Sequence, residues 1–164
     1  MALDIKPICV ALPFWSGNVN CYLITTGTDY LLIDTGSSNQ RTKVETALIG
    51  AGCHPGNLKL IILTHGDFDH TGTAAYLRKK FGAQIAMHDA DWGMIERGDM
   101  FWNRKKVNIL FMTMASAMFG FGAAQRCQPD IALEDGTDLA AYGCDARVLH
   151  LPGHFEHAGE RPVQ

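Results

Sequence analysis

The stretch "LTHGDFDHTG", Leu63 to Gly72, places His65, Asp67, Asp69 and His70 within six residues. Imidazole nitrogen and carboxylate oxygen both bind divalent first-row metals. In an extended loop, residues two apart project the same way. His65, Asp67 and Asp69 then share a direction and His70 points elsewhere. One loop of this kind can offer two ligands to one metal and two to a neighbouring one. A metal pair a few ångströms apart can hold a bridging hydroxide and polarise a carbonyl or phosphoryl oxygen. The competing explanation is a polar helix start, with Asp69 as a cap and the histidines incidental. Four chelating side chains in so short a span, directly after a strongly apolar run, argue for the metal.

Such a loop needs a scaffold, and the flanking segments read as one. "NCYLITTGTDYLLIDTG" holds two apolar runs, Cys21–Thr25 and Tyr30–Asp34, parted by the turn residues Gly27, Thr28 and Asp29. This predicts a β-hairpin whose second strand ends at the carboxylate of Asp34. Ser37, Ser38 and Asn39 are candidate caps for a helix near Gln40–Ala51, with Val44, Ala47, Leu48 and Ala51 inward and Gly52 as terminator. "LKLIILTH" is apolar on both faces, which predicts a central strand of a covered sheet. A helix over Thr71–Phe81 ends at Gly82, and "AQIAMH" is a further strand. Strands alternating with helices imply an α/β layered fold. Beyond the turn at Asp135-Gly136, a strand is expected over Ala146–Leu151, ending in Pro152-Gly153-His154.

"LLIDTG", "IILTHGDFDHTG" and "HLPGH" occur in the order and at intervals that resemble the signature segments of the metallo-β-lactamase superfamily, over residues 18 to 154. The resemblance implies an αβ/βα metallo-β-lactamase-like sandwich with a mononuclear or dinuclear zinc, iron or manganese site between two sheets. It implies a hydrolase of a small ester-like substrate (ester, lactone, thioester or phosphodiester) that uses metal-bound hydroxide. Some members of the group are oxidoreductases. By position, His65 and His154 resemble ligands of a first metal, and Asp69 and His70 ligands of a second, with Asp69 near the attacking water. Asp34 resembles the buried carboxylate that orients the metal loop.

Two departures from the family pattern stand out. Asp67 occupies the place of a usual histidine; a harder, anionic ligand shifts preference from zinc toward iron or manganese. The family also continues beyond "PGH" into a half that supplies a bridging aspartate and a final histidine, whereas here ten residues, "FEHAGERPVQ", follow His154. The expectation is a single truncated domain, residues 1–164, with its C-terminal half incomplete. Removing one nucleotide from the Phe155 codon permits the reading "SSTPGSVRY", which resembles the family continuation. Truncation would leave sheet edge and apolar face uncovered, so a homo-oligomer, with strand exchange as one route, is expected. It also opens two alternatives to a hydrolase: a metal-binding protein without catalysis, and a diiron oxidoreductase.

The remainder of the chain narrows these options. Residues 92–126 read as a Met-rich helical insertion or lid. "VNILFMTMASAMFGFGAA", Val107–Ala124, is uncharged for eighteen residues, but Asn108, Thr113, Ser116, Gly120 and Gly122 argue against a membrane span. Trp92, Met94, Phe101 and Trp102 are candidates for the mouth of a substrate pocket or for core packing. A net charge of −3, with Arg104-Lys105-Lys106 as a short basic cluster and no basic stripe, does not suit nucleic acid. Five scattered cysteines, none in a CxxC pair, read as buried free thiols, and the N-terminus lacks a signal-peptide pattern, which together predict a cytoplasmic protein. His88 reads as a strand-end histidine facing the metal loop's side, His150 as part of a strand, and His54 as solvated.

Overall fold

The computed structural model describes residues 4–12, 17–99, 101–102, 110 and 122–151. A six-stranded sheet carries the site: β1 (Asp4–Ala11), β2 (Asn18–Thr26), β3 (Asp29–Ile33), β4 (Leu58–Leu63), β5 (Gln84–Met87) and β6 (Ile131–Ala132), in that spatial order. β1, β2 and β3 pair antiparallel, and β3 through β6 pair in parallel. The anticipated hairpin is β2–β3, and the doubly apolar run is β4, near the middle of the sheet. β1 was not anticipated. Its Pro7 can be accommodated because β1 is an edge strand, where a missing N–H costs no ladder bond on the outer side.

The crossover from β3 to β4 contains helix α1 (Arg41–Gly50), and that from β4 to β5 contains α2 (Phe68–Thr71) and α3 (Ala74–Phe81). Val44 and Leu48 of α1 join Ala74, Leu77 and Phe81 of α3 in a core with Leu23, Leu32, Ile61, Leu63 and Ile85. The alternate strand residues, Ile24, Leu31, Leu60, Ile62 and Ala86, form a second core on the other face with Leu133, Leu139 and Cys144. Helices cover one face of an α/β sheet and the segment after β6 covers part of the other. This arrangement corresponds to the first half of an αβ/βα sandwich.

Several local expectations are corrected. No side-chain cap forms at the start of α1, which follows a 3-10 turn at Ser38–Gln40; the Ser37 hydroxyl donates to Asn39 instead (2.6 Å). The helix expected from Thr71 begins earlier, at Phe68, and breaks at Gly72-Thr73. Close packing requires glycine at the break: a Cβ on Gly72 would lie 2.5 Å from Ser38 N and 2.7 Å from Phe68 O. Ala146–Leu151 does not form a strand. It makes one bridge, Arg147 to Asp138, and His150 N is taken by Asp135 Oδ1 (2.9 Å). Not every cysteine is buried: Cys9 is exposed on the edge strand and Cys127 half-buried, whereas Cys21, Cys53 and Cys144 are buried. The end of α3 at Gly82 is as expected, with φ of 75°. Most of the Met-rich insertion lies outside the described residues. Its first turn is α4 (Trp92–Arg97), with Met94 and Ile95 buried. Among the described residues no helix is long and apolar enough to cross a membrane.

Candidate metal centre

The candidate metal loop begins where β4 ends, and its neighbour across the sheet is the end of β3. Asp34 sits there at φ 57°, the one non-glycine residue with positive φ among those described. Aspartate tolerates that conformation better than most residues. The turn aims a 4%-exposed carboxylate at the loop. Asp34 Oδ1 accepts from Thr64 N (2.9 Å), its two oxygens lie 3.0 and 2.8 Å from the Thr64 hydroxyl, and Oδ2 lies 2.8 Å from His70 Nδ1. One buried anion thus ties down both ends of the loop.

These contacts assign the histidine tautomers. An ionised carboxylate only accepts, so His70 Nδ1 carries the proton and Nε2 carries the lone pair. The Thr64 hydroxyl has a single proton, which goes to Asp34. His65 Nδ1, 2.9 Å from that hydroxyl, must then be its donor. Both imidazoles therefore present Nε2 as the lone-pair nitrogen. Their ring centroids are 4.0 Å apart.

The four side chains fall into two pairs. His65 Nε2 lies 3.6 Å from Asp67 Oδ2, and His70 Nε2 lies 3.7 Å from Asp69 Oδ2. Two ligands of one tetrahedral metal, each about 2.1 Å from it, sit about 3.4 Å apart. Both pairs are within a few tenths of an ångström of that spacing, so the donor set suits divalent metals. The alternation expected through Asp69 stops at Asp67, because the backbone turns helical at Phe68 and hands Asp69 to His70. Among the described residues no three His, Cys, Asp or Glu side chains form a complete ligand group. His154, the further ligand read from the sequence, lies outside the described residues.

Sequence reasoning missed the residues that hold the backbone of this loop. His70 O accepts from Thr35 N (2.7 Å) and from the Thr35 hydroxyl (2.9 Å). The Thr73 hydroxyl donates to Thr35 O (2.5 Å), and the Thr71 hydroxyl to Asp67 O (2.9 Å). All three threonines are buried, and each has its hydroxyl paired. The signal was present, as threonines directly after Asp34 and on either side of Gly72 in apolar surroundings.

A further carboxylate, Asp91, was also missed. Burial pushes its pKa up, while the neighbouring His65, the Gly66 amide and His88 act against that rise and Asp67 adds to it. For His70, burial pushes the pKa down, but the hydrogen bond to Asp34 and the charges of Asp34, Asp69 and Asp67 hold it above the ordinary value. His88 Nδ1 accepts from Ala90 N (3.2 Å), and its ring lies 4.9 Å from that of His150. His54 is exposed, as expected. Of the four residues considered for a pocket mouth, Met94 packs against Gly66 of the metal loop. Trp92 packs on the main core and donates to Met87 O (3.1 Å). Phe101 is buried, and Trp102 is partly exposed beneath the Arg97 guanidinium, 4.0 Å from its ring centroid.

The family model of the metallo-beta-lactamase superfamily matches residues 15–159. The chain belongs to that superfamily. It is 33% identical over 101 residues to the hydroxyacylglutathione hydrolase GloC of Haemophilus influenzae, covering 60% of this chain and 41% of that protein. It is 27% identical over 154 residues to the acyl-coenzyme A thioesterase MBLAC2 of Bos taurus, covering 85% of this chain and 52% of that protein. The crystal structure of the metallo-beta-lactamase GOB-18 from Elizabethkingia meningoseptica superposes with a TM-score of 0.63 at 21% identity, covering 85% of this chain and 48% of that one. The chain therefore spans about half the length, or less, of these proteins.

Proposed function

We propose that the chain carries the metal-binding half of a metallo-hydrolase site that acts on thioester or related ester-like substrates. The observation that supports this most directly is the pair of donor pairs, His65–Asp67 and Asp69–His70, with both Nε2 atoms kept as lone-pair nitrogens by one buried aspartate. In this reading His65 and Asp67 hold one metal together with His154, and Asp69 and His70 hold a second. The metal is zinc, with iron or manganese as alternatives that the anionic Asp67 favours. Bound there, it would supply Lewis acidity, lowering the pKa of a coordinated water and polarising an acyl carbonyl. The chain's own residues do the rest. Asp34 keeps each imidazole in its metal-ready tautomer, and Asp69 takes up the proton that the attacking water loses. The thioester class is suggested by relatives named as a hydroxyacylglutathione hydrolase and an acyl-coenzyme A thioesterase.

The test is elemental analysis of the purified protein, followed by thioester, ester, lactone and phosphodiester hydrolysis with and without chelator. Bound metal and chelator-sensitive thioester cleavage are expected. Bound metal without turnover would leave a metal-binding protein that is not a catalyst. Two irons per chain with oxygen reduction would point to an oxidoreductase, and no metal at all would overturn the site.

The assembly we propose is a homo-oligomer. Register places Ile5 beside Ile24 and Tyr22 beside Ile33 on the sheet face away from the helices. Ile5 is 51% and Tyr22 39% exposed there. A second copy covering that face, by docking or strand exchange, would bury them. A monomer by light scattering at micromolar concentration would refute this. The free cysteines suit a reducing compartment, and we place the protein in the cytoplasm on that ground.

A further inference from the structure

His65 and His70 follow β4 and His88 follows β5, and the three do not present the same nitrogen. β4 and β5 pair in parallel with Leu63 beside Met87, so His88 stands at the sheet end where the candidate metal loop begins. In open α/β sheets this C-terminal end of the strands is where ligands bind. His88 is itself extended (φ −63°, ψ 135°), so strand alternation carries one residue past β5 and its side chain leaves the sheet on the face of Ala86. The segment after β6 covers that face, and His150 of that segment lies against His88, with ring centroids 4.9 Å apart at 33°.

One bond assigns the His88 tautomer. A backbone N–H only donates, and Ala90 N lies 3.2 Å from His88 Nδ1, so Nδ1 holds the lone pair and Nε2 holds the proton of the neutral ring. This is the reverse of His65 and His70, where Nδ1 donates and Nε2 keeps the lone pair. Asp89 Oδ1 lies 3.4 Å from His88 Nδ1; a ring that took up a second proton there would still carry the first on Nε2. His88 is therefore a fixed N–H donor and not a neutral metal ligand. Among the described residues that N–H has no hydrogen-bond partner, and the side chain is 30% exposed. The Ala90 bond on one edge and the His150 ring on one face hold the donor in place before any ligand arrives.

We propose that His88 is a substrate-binding residue whose Nε2–H donates to an oxygen of the acyl group, first the carbonyl of the thioester and then the carboxylate of the acid product. The bond strengthens as charge collects on that oxygen during attack by water, and the proton stays on Nε2 throughout. This rests on the metallo-hydrolase reading above. It divides the histidines that follow β4 and β5 into two that offer lone pairs and one that donates.

Two variants separate the donor from the bond to Ala90. His88→Asn places a side-chain oxygen where Nδ1 accepts from Ala90 N and removes the outer N–H. His88→Gln reaches further, keeping an amide N–H near the place of Nε2 and giving up the bond to Ala90. With metal-loaded protein and phenyl thioacetate, His88→Asn should lower kcat by about 100- to 1000-fold, the range for loss of one such donor. His88→Gln should stay within about tenfold of wild type, as for a single neutral hydrogen bond made less well. A role confined to the turn at Asp89–Asp91 predicts the reverse order, with Asn active and Gln impaired, and that order would overturn the proposal. So would equal loss in both variants, or loss in neither. The metal-free protein supplies a reading without turnover. Histidine-ring nitrogen NMR should find the His88 proton on Nε2, and acetate, the acid product of this substrate, should shift that resonance saturably. A lone pair on Nε2, or no response to acetate, refutes the assignment. Should wild type cleave no thioester, the metallo-hydrolase reading fails, and the acetate titration alone then decides whether His88 binds an acyl oxygen.

Discussion

Replacing Asp34 by asparagine changes one oxygen to an amide nitrogen, and the structure dictates the consequence. Asparagine tolerates the φ of 57°, so the backbone need not move. Three groups donate to the native carboxylate: Thr64 N, the Thr64 hydroxyl and His70 Nδ1. An amide has one accepting atom and one donating atom, so one of these donors must face an N–H. Thr64 N cannot change its role, whereas imidazole can. The expected outcome is that the amide oxygen stays on Thr64 and its NH2 group faces His70 Nδ1, which then gives up its proton. That proton moves to Nε2, the atom 3.7 Å from Asp69 Oδ2, and His70 is lost as a neutral ligand. The three bonds also fall from charge-assisted, about 1.5–3 kcal/mol each, to neutral, about 0.5–1.5 kcal/mol each, a stability loss of about 3 kcal/mol. Histidine-ring nitrogen NMR of the metal-free variant reads the tautomer, metal titration reads a 10- to 100-fold or greater loss on one step (about the range for such a partner), and urea unfolding reads the stability. Unchanged His70 tautomer and affinity in a folded Asp34→Asn protein would refute the assignment of the His70 proton.

Gly72→Ala should destabilise by about 3 kcal/mol or more in urea unfolding, because its Cβ would meet backbone atoms of Ser38 and Phe68 that cannot rotate aside. In native protein at mildly alkaline pH, mass spectrometry of thiol alkylation should find Cys9 modified first. Cys21, its pKa pushed up to about 12 by burial and by Asp34, and Cys53, pushed up to about 11 by burial, should react only after unfolding. His70 gives the metal-free protein a pH signature. Burial alone would lower its pKa, but Asp34 and its neighbours raise the net value above 6.5, so the folded state holds the proton more tightly than the unfolded chain. The resulting stability is fully present below pH 6.5 and is lost as pH rises through the raised folded value. Urea unfolding across that interval should show the decline in wild type and a flatter profile in His70→Gln.

Much of the site and of its frame was legible in one dimension. The candidate metal loop stands out because four side chains able to chelate directly follow a strand apolar on both faces, a composition that no ordinary solvated turn needs. The hairpin β2–β3, helix α1 and the stop at Gly82 follow from apolar spacing and from glycine in the left-handed region, both local properties of the backbone. β1 escaped because Pro7 reads as a break until the strand is known to lie at the sheet edge. The expected strand at Ala146–Leu151 is reduced to one bridge, Arg147 to Asp138, with Ala146 and Val148 bonded to Leu139, Thr137 and Gly136 beside it, because that partner is a short stretch between the turn at Asp135-Gly136 and the 3-10 turn at Ala140, and His150 N is claimed by Asp135.

The candidate ligands of the loop and the alternation of strands and helices from β2 to β5 were legible in sequence alone, since each depends on side-chain chemistry and on spacing within a few residues, and the family resemblance pointed to the carboxylate behind them. Which ligand pairs with which, and what holds them, was decided only in three dimensions. The helix that begins at Phe68 reassigns Asp69 to His70, and Asp34 selects the tautomers from thirty or more positions away. Met94 reaches Gly66 across a full strand, two helices and a turn. Contacts of that kind leave no periodicity in the chain, because they are created by close packing between segments whose spacing in sequence is arbitrary.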